Sequence, residues 1–363
     1  MRHLLLLGGG GFIGSNFYED FCNEFEKITI VDYFSGPAHS SKKNLHYLES
    51  ILRTKDKILK LDISNLSEID IPYHELTNVI ILNADTGTGK SFEDPFQTIN
   101  ENLMNLVHVI QIIRNNCDKN NLIVTFTSSR AVYGEGKWAC SSHGPQIIDR
   151  SLSKLKNNDF TPSCKFCDEE LTLEKSDESD PLNPVSVYGA SKESGEKLLA
   201  LTLCKDGFDV RIIRYQNVFG TGQAIDNPYT GVINWFSSSF INNEDVNIYE
   251  QGLIVRDFIF IKDAIQLLFN VSTTKLNIKN KTNPIIVNGG SGEEVLLYDV
   301  AKILKNLLES KSKIYITNKF RVGDVLGAAS NISFAKNFFK FQPKYTLEKS
   351  LFIFVDWFKK EFK

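Results

Sequence analysis

The chain has 363 residues, which at roughly 150 residues per domain allows two or three domains. Hydrophobic residues make up 42% and charged residues 23%, so a disordered or fibrous chain is excluded, and the net charge of −3 gives no general attraction to nucleic acid or anionic membranes. No apolar stretch approaches the ~20 residues of a membrane span, and the first apolar run, Leu4–Leu7, is shorter than the ~7–15 residues of a secretory signal. We therefore expect a cytoplasmic protein.

Short apolar runs, typical of buried strands, alternate along the N-terminal half with longer amphipathic stretches. Strands are predicted at Leu4–Leu7, Ile28–Val31, Ile58–Leu61, Val79–Leu82, Leu122–Phe126, Val210–Arg214 and Pro284–Val287. Helices are predicted at Pro95–Asn116 and Ser186–Cys204. This alternation indicates right-handed βαβ units, and hence an α/β fold with a Rossmann-type, doubly wound parallel sheet.

Two regions break the alternation. The polar stretch of about 136–182 contains three of the six cysteines and is interpreted as a Cys-containing insertion. Residues 217–283 and 310–363 mix strands and helices, and we assign them to a smaller mixed α/β C-terminal lobe that binds substrate. The nucleotide-binding domain is then 1–216, including the insertion, and 284–309 returns to it.

A glycine-rich turn follows the first strand and opens a helix. Glycine permits a tight turn and a close approach of backbone N–H groups to a pyrophosphate at the helix N-terminus. A carboxylate at the end of the second strand would bind the ribose hydroxyls and repel a 2′-phosphate, which favours NAD over NADP. The predicted cofactor contacts are Gly8, Gly11, Phe12, Ile13, Gly14 and Asp32, with Asp62 and Ile63 after the third strand near the adenine. The alternatives are a glycine turn without ligand and a simple turn at Asp62.

Tyr188 and Lys192 form a YxxxK pair, and this spacing places both side chains on one face of a helix. An ammonium group beside a phenol lowers the pKa of the phenol from its usual ~10. The phenolate can then remove a proton from a sugar hydroxyl while hydride passes to a nicotinamide. By itself the pair could arise by chance on an amphipathic helix; next to an NAD site, the catalytic interpretation is favoured.

Several motifs together resemble the extended short-chain dehydrogenase/reductases, and within them the NAD-dependent nucleotide-sugar epimerases and dehydratases. The motifs are Gly8–Gly14, Asp32, Ser128-Ser129, Tyr188 with Lys192, Arg214 with Asn217–Gly220, Arg256–Phe258 and Arg321–Asp324. They span essentially the whole chain. The resemblance implies the fold, NAD as cofactor, further cofactor contacts at Asn102, Ser128, Tyr188 and Lys192, and a homodimer formed through the helices Pro95–Asn116 and Ser186–Cys204.

The resemblance also separates reaction types. It implies that Ser129 hydrogen-bonds the reacting hydroxyl, so the catalytic set is Ser129, Tyr188 and Lys192. The 4,6-dehydratases carry an Asp-Glu pair where this chain has Arg130-Ala131, and the glutamate of the sugar-acid decarboxylases is also missing. Redox at one carbon remains, and C4 epimerisation is its simplest use. The alternatives are a nucleotide-sugar 4-ketoreductase or dehydrogenase, another enzyme of the dehydratase family, and a catalytically silent NAD-binding scaffold.

Within the family, the chain is most similar to the dTDP-L-rhamnose 4-epimerase group. The similarity lies in Thr86–Ser91, Ser128–Gly136, Asn227–Gly231 and Ile248–Gly252, and Lys90 and Val325-Leu326 depart from the group's pattern. The nucleotide and the hexose stay open. The resemblance implies that Arg256 and Arg321 bind the diphosphate, and that substrate contacts are also made by Thr88, Ser129, Asn217, Asn227 and Tyr249. A surface ion pair is the alternative for each arginine, and a turn for Asn227.

The insertion contains two pairs of potential metal ligands, each pair separated by two residues: Cys140 with His143 and Cys164 with Cys167. Such pairs resemble two zinc knuckles, which together supply four ligands for a tetrahedral site. Four protein ligands leave no open position, so we predict one structural zinc ion. The alternative is free thiols and a surface histidine in a loop.

Overall fold

The computed structural model of the chain describes residues 2–35, 43–68, 71–148, 150–225, 231–276 and 282–362. The strands are β1 (His3–Leu7), β2 (Lys27–Asp32), β3 (Lys57–Lys60), β4 (Asn78–Ile81), β5 (Ile123–Ser129), β6 (Lys137–Cys140), β7 (Gly144–Gln146), β8 (Thr172–Glu174), β9 (Asp209–Tyr215), β10 (Asn217–Phe219), β11 (Val246–Ile248), β12 (Val255–Arg256), β13 (Phe258–Phe260), β14 (Ile285–Gly289), β15 (Val295–Leu296), β16 (Ile314–Ile316) and β17 (Gly327–Ala328).

The helices are α1 (Phe12–Phe21), α2 (Lys43–Ile51), α3 (Thr88–Glu93), α4 (Pro95–Ile99), α5 (Asn105–Asn116), α6 (Leu152–Lys156), α7 (Val187–Leu199), α8 (Val232–Ile241), α9 (Ile261–Thr273), α10 (Leu297–Leu307), α11 (Ser333–Phe339) and α12 (Leu347–Glu361). Short 3-10 helices lie at Cys22–Glu24, Ile63–Glu68, Tyr73–Glu75, Arg130–Tyr133 and Glu250–Gly252. In the described ranges, no helix is both long and apolar enough to cross a bilayer.

Seven parallel strands form the central sheet, in the order β14-β9-β5-β4-β1-β2-β3. All seven predicted strands are confirmed, with ends that differ by at most three residues. The four leucines of β1 form a buried strand because side chains alternate between its two faces. Leu4 and Leu6 enter one apolar core, and Leu5 and Leu7 enter a second core on the opposite face. The strand order reverses between β1 and β4, and ligands bind beyond the carboxyl ends of the strands at such a point.

Both predicted helices are present, and each contains a π turn. Asp94 caps the first by accepting a hydrogen bond from Gln97 N at 2.9 Å, and the path runs through α4, a π turn at Asn100–Met104 and α5. Ser186 caps α7, which continues into a π turn at Ala200–Cys204. The two helices are in contact beside β5.

Residues 136–182, here called the cysteine segment, contain a three-stranded antiparallel sheet in the order β7-β6-β8. The C-terminal third adds three small sheets, β10-β13, β11-β16 and β15-β12-β17. The segment joins this third where the Ser176 N–H donates to Ala329 O and the Asn331 N–H donates to Ser176 O, both at 2.9 Å. The predicted division into a nucleotide-binding domain and a substrate lobe stays a prediction.

Candidate active site

The turn between β1 and α1 requires glycine where the backbone packs too closely for a side chain. Gly8 has φ 73°, and a Cβ atom there would lie 2.5 Å from Asn83 N. A Cβ atom on Gly14 would lie 2.5 Å from the Cα atom of Gly9, so α1 begins directly against the end of the sheet. Gly11 caps α1 without a side-chain hydrogen bond, which leaves the N–H groups of the first turn without a capping side chain. This is the backbone arrangement that binds an anion.

Asp32 lies beside this turn, as the sequence predicted, and is 9% exposed. Its carboxylate accepts hydrogen bonds from Gly10 N and Phe34 N, both at 2.9 Å. Gly10 was absent from the predicted set, although a Cβ atom there would lie 2.3 Å from the Phe34 ring. In a run of four glycines, the sequence does not indicate which positions the turn requires to be glycine, because this depends on tertiary contacts.

The remaining predicted cofactor contacts, near the adenine and at the start of α1, are engaged within the protein. Asp62 accepts a hydrogen bond from Ser64 N at 2.8 Å at the start of a 3-10 helix. Ile63 is buried in one apolar core, whereas Phe12 and Ile13 pack half-buried against the other. The Ile63 side chain is therefore a core residue, and a contact with a nucleotide there would have to use its backbone.

The catalytic candidates Ser129 and Tyr188 are brought together where α7 begins against the turn that follows β5. A Cβ atom on Gly189 would lie 2.6 Å from Ala131 O, so glycine allows this approach. Ser186 caps α7 by accepting a hydrogen bond from Gly189 N at 3.0 Å. The Tyr188 phenol is half-buried, and the Ser129 hydroxyl lies close enough to it to act on its pKa. A strand end and a helix start thus hold a hydroxyl next to a phenol.

The electrostatics of this pair differ from the expectation. Burial raises the pKa of Tyr188, while the Ser129 hydroxyl and the positive charge of Arg130 act in the opposite direction. We expected the Lys192 ammonium to have that effect. Instead, Lys192 is 3% exposed and donates to Thr127 O at 2.8 Å, and burial lowers its pKa to about 7 while Glu196 opposes the change. Arg130 is therefore a cation close to the phenol, in addition to the predicted Lys192.

Two predicted cofactor contacts, Ser128 and Asn102, form hydrogen bonds with other residues of the protein. The Ser128 hydroxyl donates to Glu196 Oε1 at 2.5 Å, and Glu196 pairs with Arg214 at 2.7 Å. Asn102 accepts from Asp85 N at 2.7 Å and donates to Asp85 O and Ser191 Oγ. In this arrangement both side chains tie the ends of strands to α7. Their predicted contact with the cofactor stays a prediction.

A cluster of arginines lies near Tyr188. Arg256 is buried and pairs with Asp324 at 2.6 Å. Burial acts to raise the pKa of Asp324, but Arg256, Arg130 and Arg321 hold it below its ordinary value. Burial and the charge of Arg256 lower the pKa of Arg130 to about 10, so Arg130 is protonated at neutral pH.

Arg130 is a charged site residue that sequence reasoning missed. Among the residues described, nothing forms a hydrogen bond with its guanidinium or an ion pair within 4.0 Å of it. The sequence did offer one indication of its role, namely its position directly after Ser129 at the carboxyl end of a predicted central strand.

The remaining predicted substrate contacts are spread around this cluster. The Arg321 side chain is exposed, and its guanidinium lies 5.4 Å from the centre of the Tyr249 ring. Thr88 begins α3 and is half-buried. Val325 and Leu326 are both 3% exposed and contribute to the core. Asn227 lies outside the described residues.

Buried polar atoms without a partner lie beyond the carboxyl ends of β4 and β9. In the part of the chain that the structure describes, Asn83 Oδ1, Gln216 Oε1 and Asn217 Oδ1 have no hydrogen-bond partner. Leaving such a group unpaired costs about 1–3 kcal/mol. A polar ligand at this edge of the sheet would remove that cost. Asn217 was predicted, whereas Asn83 and Gln216 were missed because amides after a strand carry no motif.

The four predicted metal ligands, which form two pairs at separate places in the sequence, are brought together in the cysteine segment. The ligand atoms of Cys140, His143, Cys164 and Cys167 all lie within 4.8 Å of one another. This cluster is separate in sequence from the catalytic candidates and has its own geometry, which is analysed below.

The fold and these motifs match known proteins along nearly the whole chain. The dTDP-L-rhamnose 4-epimerase of Burkholderia thailandensis is 26% identical over 365 residues, covering 99% of this chain and 96% of that protein. The structure of UDP-N-acetylglucosamine 4-epimerase from Methanobrevibacter ruminantium, solved with UDP-N-acetylmuramic acid, is similar with a TM-score of 0.75 at 25% identity and 99% coverage of both chains. The UDP-glucose 4-epimerase of Thermotoga maritima, solved with UDP-glucose, has a TM-score of 0.77 at 21% identity and full coverage of both chains.

The sequence profile of the NAD dependent epimerase/dehydratase family matches residues 4–287. This range contains the glycine turn, Asp32, Ser129, Tyr188 and Lys192. The resemblance inferred from the motifs is confirmed, and the chain belongs to the NAD-dependent epimerase/dehydratase family.

Proposed function

We propose that this protein is an NAD-dependent isomerase that inverts C4 of a nucleotide-linked hexose, with a 6-deoxyhexose as the first candidate, through a transient 4-keto sugar. The observation that carries the proposal is the contact of Tyr188 with Ser129 at the carboxyl edge of the sheet, on the same edge as the glycine turn and Asp32. Membership of the family and the similarity to a dTDP-L-rhamnose 4-epimerase support it.

The residues present fit NAD. The turn of Gly8 to Gly14 leaves no room for side chains on its sheet side, and the uncapped start of α1 suits a pyrophosphate. The Asp32 carboxylate suits ribose hydroxyls and opposes a 2′-phosphate. The unpartnered Asn83 and Gln216 oxygens offer further polar contacts. When bound, NAD would supply the acceptor, and later the donor, of the C4 hydride.

The protein side of the reaction is proton transfer at Tyr188. The phenolate takes the proton of the 4-hydroxyl as the C4–H bond breaks, which leaves a 4-keto sugar, and it gives the proton back after the hydride returns to the other face. Ser129 holds the reacting oxygen against the phenol. Arg130 favours the phenolate because its positive charge is close. Lys192, anchored on Thr127 O, is positioned to hold the cofactor's ribose.

Epimerisation is favoured over elimination because the positions after Ser129 are Arg130 and Ala131. Neither side chain can donate and accept a proton at neutral pH, so loss of water has no acid at that position. A nucleoside diphosphate is the expected common part of the substrate. The exposed Arg321 and the half-buried Tyr249 would bind it, together with Arg256, which pairs with Asp324. The base and the hexose stay open.

The test is Tyr188→Phe, assayed by NMR at C4 with dTDP-, UDP-, GDP- and CDP-hexoses. Loss of the phenol proton should lower kcat by about 10²–10⁴-fold while NAD binding persists. Tyr315→Phe, an exposed tyrosine on β16, is the matched control and should turn over normally. Product without net NADH supports epimerisation. Stoichiometric NADH change would instead identify a ketoreductase or dehydrogenase, and NAD binding with no turnover of any hexose would favour a silent scaffold.

We also propose that the protein forms a homodimer through the faces of α4, α7 and their π turns. Three large apolar side chains there are exposed: Phe96 by 83%, Met104 by 46% and Leu201 by 67%. Exposed apolar side chains on adjacent helices are typical of an interface. Light scattering should give twice the chain mass, and Phe96→Glu with Leu201→Glu should shift it to the monomer. The cytoplasmic location stays a prediction.

A further inference from the structure

The four ligand candidates of the cysteine segment belong to two similar turns. Cys140 ends β6 and His143 directly precedes β7. Cys164 and Cys167 lie in a turn between α6 and β8, closed by the hydrogen bond from Asp168 N to Cys164 O at 3.0 Å. Each pair is followed by a residue with positive φ, Gly144 at 69° and Asp168 at 58°. The chain therefore makes the same reversal after each pair.

Backbone donors point at the first sulfur of each pair. Ser142 N lies 3.4 Å from Cys140 Sγ, and Phe166 N lies 3.4 Å from Cys164 Sγ, in both cases two residues further along. A side-chain amide adds to this, since Gln146 Nε2 donates to Cys164 Sγ at 2.9 Å. Hydrogen bonds of this kind favour sulfur as a thiolate, which is the form that binds metal.

Three of the six distances between the ligand atoms fit a tetrahedral ion, and all six are within 4.8 Å. Cys140 Sγ and Cys164 Sγ each lie 3.5 Å from His143 Nδ1, and Cys140 Sγ lies 3.6 Å from Cys167 Sγ. Zinc–sulfur bonds of ~2.3 Å and zinc–nitrogen bonds of ~2.0–2.1 Å at tetrahedral angles require separations of about 3.5–3.8 Å. Two thiols and an imidazole from two separate turns thus already lie at the separations that one bound ion requires.

We infer that Cys140, His143, Cys164 and Cys167 bind one structural zinc ion. Three sulfur donors and one imidazole in a tetrahedron select zinc among the common divalent ions. All four positions are taken by protein, so the ion takes no part in the reaction. The inference stands without the proposed epimerase activity, because metal content is measured independently of turnover.

The ion closes a segment that also holds the C-terminal third in place. Arg150 of the cysteine segment pairs with Glu135 at 2.9 Å and with Glu250, and it donates to Asp324 O at 2.7 Å. A Cβ atom on Gly327 would lie 2.6 Å from Leu173 of β8, so β17 packs directly on the segment. Loss of the metal should therefore loosen the chain around Asp324 as well as the knuckles.

The experiment is elemental analysis of the full-length protein purified without chelator, compared with Cys164→Ser and with Cys117→Ser as a matched control. Cys117 lies outside the cluster at the end of α5. Wild type and Cys117→Ser should hold about one zinc per chain, and Cys164→Ser should lose at least about 90% of it. Chelation of the wild type should lower its melting temperature, and added zinc should restore it.

Where Cys164→Ser fails to fold, the wild type supplies the second measurement. After removal of the metal, Co²⁺ should produce the intense visible absorption of tetrahedral thiolate coordination, which zinc then displaces. Wild type that holds no zinc and gives no such absorption overturns the inference. So does Cys164→Ser that retains full zinc, or a denatured, metal-free wild type with two reactive thiols fewer than its six cysteines, which would mean a disulfide.

Discussion

The seven-stranded sheet and the cysteine segment are stabilised in different ways. Side chains of the sheet enter two extensive apolar cores on its opposite faces. The cysteine segment has strands of only three or four residues. It buries a few apolar side chains, such as Trp138 and Leu171, and depends in addition on the ligand cluster and on Arg150. The Arg150 side chain is 5% exposed and lies between the carboxylates of Glu135 and Glu250.

This difference determines how each region should respond to substitution. Apolar burial is spread over many residues, so removing one contact in the sheet costs a limited share of the total. A buried charge has few partners, and removing one of them leaves the others uncompensated. Single polar substitutions in the cysteine segment should therefore cost more than comparable changes at the end of the sheet.

The largest expected effect is that of Arg150→Met. The buried carboxylates of Glu135 and Glu250 would lose their shared cation, so we expect a loss of about 3–5 kcal/mol in the free energy of unfolding. Chemical denaturation measures it. Lys360→Met removes an exposed pair with Asp356 and should change stability by less than about 0.5 kcal/mol. Equal effects of the two substitutions would contradict the importance of this buried cluster.

A medium effect is expected at the glycine turn. Gly14→Ala places a Cβ atom 2.5 Å from the Gly9 backbone, so α1 must move, at a cost of about 1–3 kcal/mol and with weaker NAD binding. Gly11→Ala makes the same chemical change, but its nearest neighbour is Gly8 O at 3.4 Å, and the fold should tolerate it. Thermal unfolding and NAD titration of both variants measure this. A tolerated Gly14→Ala would be inconsistent with the close packing of α1.

The smallest effect is electrostatic and lies where the two regions meet. Arg130 lowers the pKa of Tyr188, so Arg130→Gln should raise it, and less phenolate would be present at a given pH. The rise of kcat with pH should move to higher pH by about one unit or less, equivalent to at most ~1.4 kcal/mol. Arg321→Gln, whose guanidinium is exposed, should raise KM without moving the profile. An unshifted profile for Arg130→Gln would remove Arg130 from the proton transfer.

Local patterns predicted the elements that depend on neighbouring residues. The apolar runs were sufficient for all seven strands of the sheet, because such runs pack into the cores on its two faces, although Ile58 and Leu59 of the edge strand β3 are only half-buried. The YxxxK pair of Tyr188 and Lys192 and the two ligand pairs could be recognised because each consists of residues only three or four positions apart. The π turns at Asn100–Met104 and Ala200–Cys204 were not predicted, because a helix-period pattern does not distinguish one extra residue per turn.

By itself, the sequence determined the parallel α/β fold, the glycine turn with Asp32, and the residue types able to carry out proton transfer and bind a metal. The tertiary structure alone revealed that Arg130 adds positive charge near the Tyr188 phenol while Lys192 donates to Thr127 O, and that Arg150 joins Glu135 to Glu250. It also decided that four ligands from two separate turns share one centre. The physical reason is that periodicity and spacing report contacts between near neighbours in the chain. Charges that meet across different elements leave no such pattern, and only their positions in space reveal which of them act together.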